Sequence, residues 1–174
     1  KMTLPPVTVV VEGKTYTTNA VEVPASDDQI RLELELSETK CYVGQPVLMS
    51  VTWTFTARIQ NPTMDVPVFK SDDFYIEDVT EASAGNRPTI HNVPITLVSD
   101  RQLVNGVETT IVRFRKALIP KRIGSIVVDP VTISTNVAVA RSRSLLEAYQ
   151  YKRVSVQSNP AELEVAPMPE TNQP

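Results

Sequence analysis

Hydrophobic and polar residues alternate along most of this chain. Between residues 30 and 36, in IRLELEL, every even position is isoleucine or leucine and every odd position is arginine or glutamate. The segment VLMSVTWTF, residues 47–55, has an apolar residue at every odd position, among them Trp53, and mostly serine and threonine at the even positions. A period of two is typical of a β-strand with one buried face. The first segment predicts an edge strand, because its outer face is charged, and the second predicts a central strand with Trp53 in the core.

Further strands are predicted where short apolar runs are separated by turn residues. Asn105-Gly106 lies between two such runs and predicts a hairpin with a type I′ turn. Other strands are predicted in FYIEDV, IVVDPVTIS, RVSVQ and AELEVAP. The segment TARIQNPTMDVPVF is interpreted either as a contact loop or as a crossover between sheets. Together these elements predict an all-β fold, an immunoglobulin-like β-sandwich over residues 26–168.

One segment, RSRSLLEAYQYKR, has a helix-like pattern. Leu145, Leu146 and Tyr149 would form one helical stripe, backed by Glu147 and Lys152. A helix this short is marginal in water. The alternative is a long hairpin loop between two strands.

The beginning of the chain resembles its end. PVTV at residues 6–9 is similar to PVTI at 130–133, and TNA at 18–20 is similar to SNP at 158–160. EVP at 22–24 is similar to EVAP at 164–167. We therefore expect residues 1–25 to be the last strands of a preceding β-sandwich module, a remnant in front of the main domain. Residues 169–174 are expected to be a linker or tail.

The charge and composition of the chain limit the classes of function that it can have. The chain has 174 residues and a net charge of −3, with basic and acidic residues mixed along its length. This argues against nucleic-acid binding, which needs a clustered basic face. No apolar run approaches the roughly 18 residues of a membrane-spanning helix. The single cysteine, Cys41, excludes an internal disulfide and leaves the redox compartment open.

Three segments in a fixed order resemble a known family. YVGQPV at residues 42–47 is a turn that leads into a long strand, LIPKRIG at 118–124 precedes the next strands, and SNPAELEVAPMP at 158–169 closes the domain. In this order they resemble the oxygen-tolerance family, the aerotolerance protein BatD of bacteria, over residues 30–169. The segment at about 135–153 is longer than the family pattern and rich in arginine and lysine.

The resemblance implies a cellular setting. Proteins of this family are expected in the periplasm or cell envelope, with tandem immunoglobulin-like modules and an anchor in the inner membrane. Their implied partners are other envelope proteins of the von Willebrand A-type or tetratricopeptide class. The resemblance implies no catalytic residues.

The candidate residues for chemistry are few. His91 is the only histidine and Cys41 the only cysteine, so the usual closed zinc sites cannot form. We interpret His91 as an exposed loop residue and Cys41 as a small buried hydrophobe. The acidic group of Asp72, Asp73, Glu77 and Asp78 is interpreted as a solvated strand face. No catalytic, cofactor-binding or metal-binding residue is predicted, and no cofactor.

The sequence therefore predicts a non-enzymatic, extracytoplasmic protein–protein interaction module that scaffolds a membrane-associated complex. Its predicted partner-contact residues are Arg141, Arg143, Leu145, Leu146, Tyr149, Lys152 and Arg153. The alternative is a carbohydrate-binding β-sandwich module that uses exposed aromatic residues such as Tyr75 or Tyr149.

Overall fold

The chain folds into packed β-sheets, as a computed structural model shows. The structure describes residues 2–4, 8–11, 14–17, 21–23, 29–79, 87–141 and 149–169. Nearly all of its regular elements are strands, and a 3₁₀ turn occupies Pro67–Lys70. The prediction of an all-β, sandwich-like fold is therefore confirmed. Within the described ranges, no helix has the length and apolar character needed to cross a membrane.

One layer of the sandwich is a five-stranded sheet. Its strands are β5 (Ile30–Leu36), β7 (Val47–Phe55), β9 (Phe74–Asp78), β12 (Val98–Val104) and β13 (Val107–Pro120). They are ordered β12-β13-β7-β5, and β9 pairs with the second half of β13. In the described part of the chain β5 pairs only with β7, so the predicted edge position of β5 and central position of β7 are confirmed.

The other elements form smaller sheets. The first comprises β8 (Ile59–Asp65), β15 (Thr132–Arg141) and β16 (Tyr149–Gln157), in the order β16-β15-β8. The second comprises β6 (Lys40–Tyr42), β14 (Gly124–Val128) and β17 (Ala161–Ala166), with β17 parallel to β6. A short hairpin joins β10 (Thr89–Ile90) to β11 (Val93–Pro94).

The core lies between these sheets and follows the two-residue period. Its inward rows include Leu34, Val51 and Phe114 from the five-stranded sheet, with Ile133 and Leu163 from the smaller sheets. Each of these side chains is at most 2% exposed. Trp53 is 6% exposed, so its predicted burial is confirmed. Its ring packs against Phe55 with 4.6 Å between the centroids.

The hairpin predicted from Asn105-Gly106 is present. Val104 and Val107 are directly paired across a two-residue turn that joins β12 to β13. Asn105 and Gly106 have φ angles of 52° and 79°, and positive φ at both positions is the requirement of a type I′ turn.

The segment at residues 56–69 is less loop-like than predicted. Residues 59–65 form β8, an edge strand that pairs with β15. The strand contains Pro62, which lacks an N–H group, and an edge strand tolerates this because proline removes no central ladder bond. The segment therefore crosses from the five-stranded sheet to the sheet of β8 and β15, as one of the two interpretations predicted, but the strand within it was not predicted.

The first strands of the chain repeat the pairing plan of the last ones. They are β1 (Met2–Leu4), β2 (Thr8–Val11), β3 (Lys14–Thr17) and β4 (Val21–Val23). β2 and β3 form an antiparallel pair, and β1 pairs with β4 around it. In the same way β15 pairs with β16, and β14 pairs with β17. The origin of residues 1–25 in a preceding module stays a prediction, as does the linker at 169–174, which beyond Pro169 lies outside the described residues.

A polar corner ties the layers together at Ser158 and Asn159. The backbone N–H of Leu34 donates to Asn159 Oδ1 at 3.1 Å, and Asn159 Nδ2 donates to the Leu34 carbonyl at 2.7 Å. The amide group thus acts like a neighbouring strand at the edge of β5. Ser158 Oγ accepts a hydrogen bond from the Val131 N–H at 3.0 Å. The side chains at this corner form hydrogen bonds with backbone groups that have no partner in a neighbouring strand.

A charged residue occupies the inward row of β13. Lys116 stands between Phe114 and Leu118 on that row and its side chain is 3% exposed. Its ammonium group donates to the carboxylate of Asp78, which is its cross-strand partner on β9. The hydrogen bond from Lys116 is the main cause of the lowered pKa of Asp78. A buried ammonium group requires such a partner.

We expect Asn159→Ala to reduce the free energy of unfolding by about 2 kcal/mol, because two hydrogen bonds to Leu34 are lost at roughly 1 kcal/mol each. Urea denaturation measures this as a lower midpoint with an unchanged slope. The matched control is Asn136→Ala, whose side chain has no hydrogen bond in the described part of the chain. A loss no larger than that of the control would contradict the role of the corner.

We expect Asp78→Asn to destabilise the protein at pH 7 by about 1–2 kcal/mol. The value is below that of a fully buried pair because solvent screens the exposed carboxylate. The folded-state pKa of Asp78 is lowered, so its contribution is complete above the unfolded value near ~3.9 and is lost as the pH falls below it. The difference from wild type in chemical denaturation should therefore shrink between pH 7 and pH 3. The matched control is Glu77→Gln, on the exposed face of the same strand, which should leave the stability at pH 7 unchanged.

Candidate functional site

Four of the seven residues predicted to contact a partner lie on β15 and β16. Arg141 is the last residue of β15, and Tyr149, Lys152 and Arg153 lie in β16. Three of the predicted residues lie outside the described part of the chain: Arg143, Leu145 and Leu146. The ladder continues to the pair formed by Arg141 and Tyr149. The helical interpretation is therefore wrong from Tyr149 onward, since this residue and those after it are in a strand.

The outward face of this sheet gathers two tyrosines and two arginines, which we call the tyrosine–arginine face: Arg58, Tyr149, Tyr151 and Arg153. The tyrosine rings are 6.4 Å apart between centroids and tilted by 56°. Arg58 Cζ lies 4.8 Å from the centroid of the Tyr149 ring, a cation–π distance. Arg153 Nη2 donates to Thr63 Oγ1 of β8 at 3.2 Å. The alternation of β16 places its odd-numbered residues outward, because Val154 and Val156 pack on the core.

The tyrosine–arginine face carries positive charge and includes the outermost strand of its sheet. In the sheet order β16 is the outermost strand, and among the described residues β15 is its sheet neighbour. The charge of the face comes from the guanidinium groups of Arg58 and Arg153. Lys152 is exposed in the middle of β16, but as an even-numbered residue it lies on the opposite side of the strand. A basic surface beside an outermost strand can receive an extended, acidic segment.

His91 and Cys41 lie in different parts of the fold. His91 is in the turn between β10 and β11, with φ of 48°, and its Nε2 is 2.5 Å from Asp65 Oδ1. Lys70 Nζ is 3.1 Å from the same oxygen, and hydrogen bonds from His91 and Lys70 lower the pKa of Asp65. Cys41 lies in β6, paired with Val165 of β17. No hydrogen bond joins the two within the described ranges, so they do not form a nucleophile–base pair there.

Two of the four acidic residues at 72–78 are paired with cations, Asp73 with Arg122 of the turn after β13 and Asp78 with Lys116 of β13. Arg122 contacts both oxygens of Asp73, with Nε to Oδ1 at 2.6 Å and Nη2 to Oδ2 at 3.1 Å, and it lowers the pKa of this carboxyl. Asp78 pairs with Lys116. In the portion of the chain that is described, no three histidine, cysteine or acidic residues are grouped so as to hold a metal ion.

Neither Lys116 nor Arg122, the two cations that pair with these acids, was predicted from the sequence to be a partner of theirs. Lys116 could have been recognised from its position in β13. It shares the parity of Phe114 and Leu118, so strict alternation along β13 would have placed it on the buried face.

Comparison with known proteins identifies no relative. No protein-family model, no curated protein and no solved structure matches this chain.

We expect the thiol of Cys41 to be poorly reactive in the folded protein. It is 6% exposed, and burial, with a smaller contribution from Glu38, raises its pKa. Because the thiolate is the reactive form, Ellman's reagent at pH 8 should label the native thiol at least about tenfold more slowly than the urea-unfolded chain. Equal rates in the two states would contradict the burial of Cys41.

Proposed function

We propose that this chain is a non-enzymatic protein–protein interaction module of a bacterial envelope protein similar to the oxygen-tolerance family. It would scaffold a membrane-associated complex from the periplasmic side of the inner membrane. The proposed partners are other envelope proteins, of the von Willebrand A-type or tetratricopeptide class. The compartment and the partner classes rest on the sequence resemblance. The mode of contact rests on the tyrosine–arginine face.

The observation that carries the proposal is the composition of that face. Tyrosine and arginine are enriched among the residues that contribute most to the affinity of protein interfaces. Here two of each lie together on the outer side of one sheet. Arg58 and Arg153 are already oriented by Tyr149 and Thr63, so less side-chain entropy is lost when a partner binds.

The charge of the face indicates the chemistry of the partner. The whole chain carries a net charge of −3, whereas the tyrosine–arginine face carries the guanidinium groups of Arg58 and Arg153. An acidic partner segment would therefore be directed to this face rather than to the rest of the surface. An extended segment could also pair with β16, which is the outermost strand of its sheet.

A carbohydrate-binding module is less well supported. Sugars stack on open aromatic faces, but Arg58 covers one side of the Tyr149 ring, and Tyr149 and Tyr151 are half-buried. Tyr75 is 62% exposed on β9, but Lys121 lies 4.4 Å from the centroid of its ring. A glycan array in which Tyr149→Ala or Tyr75→Ala abolishes binding would favour this alternative over a protein partner.

The test is affinity capture of the full-length, envelope-anchored protein from crosslinked cells. Wild type is compared with the triple variant Tyr149→Ala, Tyr151→Ala, Arg153→Glu. We expect the triple variant to recover at least about tenfold less of each specific partner, because interface hot spots contribute 2 kcal/mol or more each.

The matched control is Tyr75→Ala, which removes an exposed tyrosine under a lysine on a different sheet and should leave partner recovery unchanged. Circular dichroism of the purified chains checks that each variant is folded. Equal recovery by the triple variant and wild type, or no reproducible partner with either, would contradict the proposal.

A further inference from the structure

The hairpin of β12 and β13 extends beyond the rest of its sheet. Thr110 is the last residue of β13 toward the turn that pairs with β7, where its partner is Phe55. From Val107 to Thr109, β13 pairs with β12 alone among the described residues. All seven residues of β12 are exposed. Few buried contacts support this end of the hairpin, and segments of this kind open locally at little cost in free energy.

The turn at the end of the hairpin contains the only Asn-Gly pair in the chain, Asn105-Gly106. Both residues are exposed. The closing pair of the turn is Val104 and Val107, and the N–H of Gly106 donates to no backbone group in the described part of the chain. A side-chain atom added at Gly106 would have no other atom within 4 Å. The backbone nitrogen of Gly106 and the side-chain amide of Asn105 are therefore both accessible.

This arrangement of groups allows the backbone to react with the side chain. The nitrogen that follows an asparagine can bond to the side-chain carbonyl carbon, which closes a five-membered succinimide ring. Ammonia leaves and takes the proton of the N–H group with it. Water then opens the ring at either carbonyl and leaves aspartate or isoaspartate. Glycine favours the attack, because it has no side chain to crowd its nitrogen and it restricts the backbone least.

The other asparagines in the described part of the chain lack this combination. Asn61 and Asn159 precede proline, whose nitrogen carries no hydrogen to lose. Asn92 and Asn136 precede valine, whose branched side chain crowds the nitrogen. Among these residues, Asn105 is therefore the one at which the reaction should be fastest.

We propose that Asn105 is a site of spontaneous deamidation and that the reaction loosens the end of the β12–β13 hairpin. Isoaspartate carries the main chain through its side-chain carbon, which adds a CH₂ group to the backbone between residues 105 and 106. A type I′ turn requires defined dihedral angles at both of its central residues, so the longer backbone cannot hold Val104 opposite Val107. The site belongs to the five-stranded sheet and is separate from the tyrosine–arginine face.

The test is peptide mapping by mass spectrometry after the folded protein has been incubated at pH 8. We expect Asn105 to be converted at least about tenfold faster than Asn92 and Asn136 in the same sample, with isoaspartate as the main product. In water labelled with ¹⁸O, the product should carry a labelled oxygen from the opening of the ring. The control is Asn105→Gly, because a Gly-Gly pair is compatible with the type I′ turn and has no side chain to react.

Hydrogen exchange measures the effect on the hairpin. The isoaspartate form is separated by chromatography and compared with the unreacted protein. We expect the amides of Val104 and Val107 to exchange at least about tenfold faster in the isoaspartate form, because their pairing is lost. The amides of Val51 and Phe114, in the core of the same sheet, should exchange at an unchanged rate. Asn105→Gly, incubated in the same way, should show no change at Val104 or Val107.

The proposal is overturned if Asn105 reacts no faster than Asn92 and Asn136. It is also overturned if aspartate forms without isoaspartate, since that product pattern excludes the succinimide ring. Unchanged exchange at Val104 and Val107 in the isoaspartate form would overturn the effect on the hairpin. None of these results depends on whether a protein partner is found.

Discussion

The structure depends on the burial of apolar side chains between two layers of sheet. Leu34, Val51 and Phe114 on one layer, and Ile133 and Leu163 on the other, are almost completely removed from water. Each such side chain contributes roughly 1.5–3 kcal/mol relative to an exposed one. The chain has a single cysteine and therefore no disulfide to support it, so this apolar contact has to determine how the sheets lie on each other. The polar corner at Asn159 then fixes where the chain lies along β5, because its amide fits only one position along the edge of that strand.

Two of the polar groups inside this core differ in how they are satisfied. Lys116 enters the inward row, but Asp78 satisfies its charge, so the pair fixes β9 against β13 in one register. Trp53 also places a polar atom inside, but its N–H group finds no acceptor in the described part of the protein. The first arrangement is a structural contact, whereas the second is a buried donor that the surrounding residues leave without a partner.

Alternation made much of the fold predictable. It indicated β5 and β7 with the correct buried faces, and it placed Trp53 in the core, because a strict period of two leaves only one face to bury. The turn chemistry of Asn105-Gly106 indicated the β12–β13 hairpin. Prediction failed for β8, where Asn61 and Pro62 resemble loop residues, and for the start of β16, where the spacing of leucines and a tyrosine resembled a helix. In both cases pairing with β15 stabilises the strand, and such long-range pairing leaves no local signal. The apolar cleft lined by Trp53, Met64 and Ile90 was not predictable either, because its walls come from five separate segments.

The irregularity that concealed β8 lies in the strand that forms one wall of an apolar cleft between β8, β7 and the β10–β11 hairpin. Asn61 has a positive φ of 49°, and the register between β8 and β15 shifts between Ser134 and Asn136. Pro62 cannot donate a ladder hydrogen bond. Thr135 bridges this gap, since its Oγ1 donates to the Gln60 carbonyl at 2.9 Å, and the strand then continues with Thr63 and Met64 along the cleft wall. A register shift of this kind bends a strand away from its regular course, so the bend in β8 lies where the strand lines the cleft.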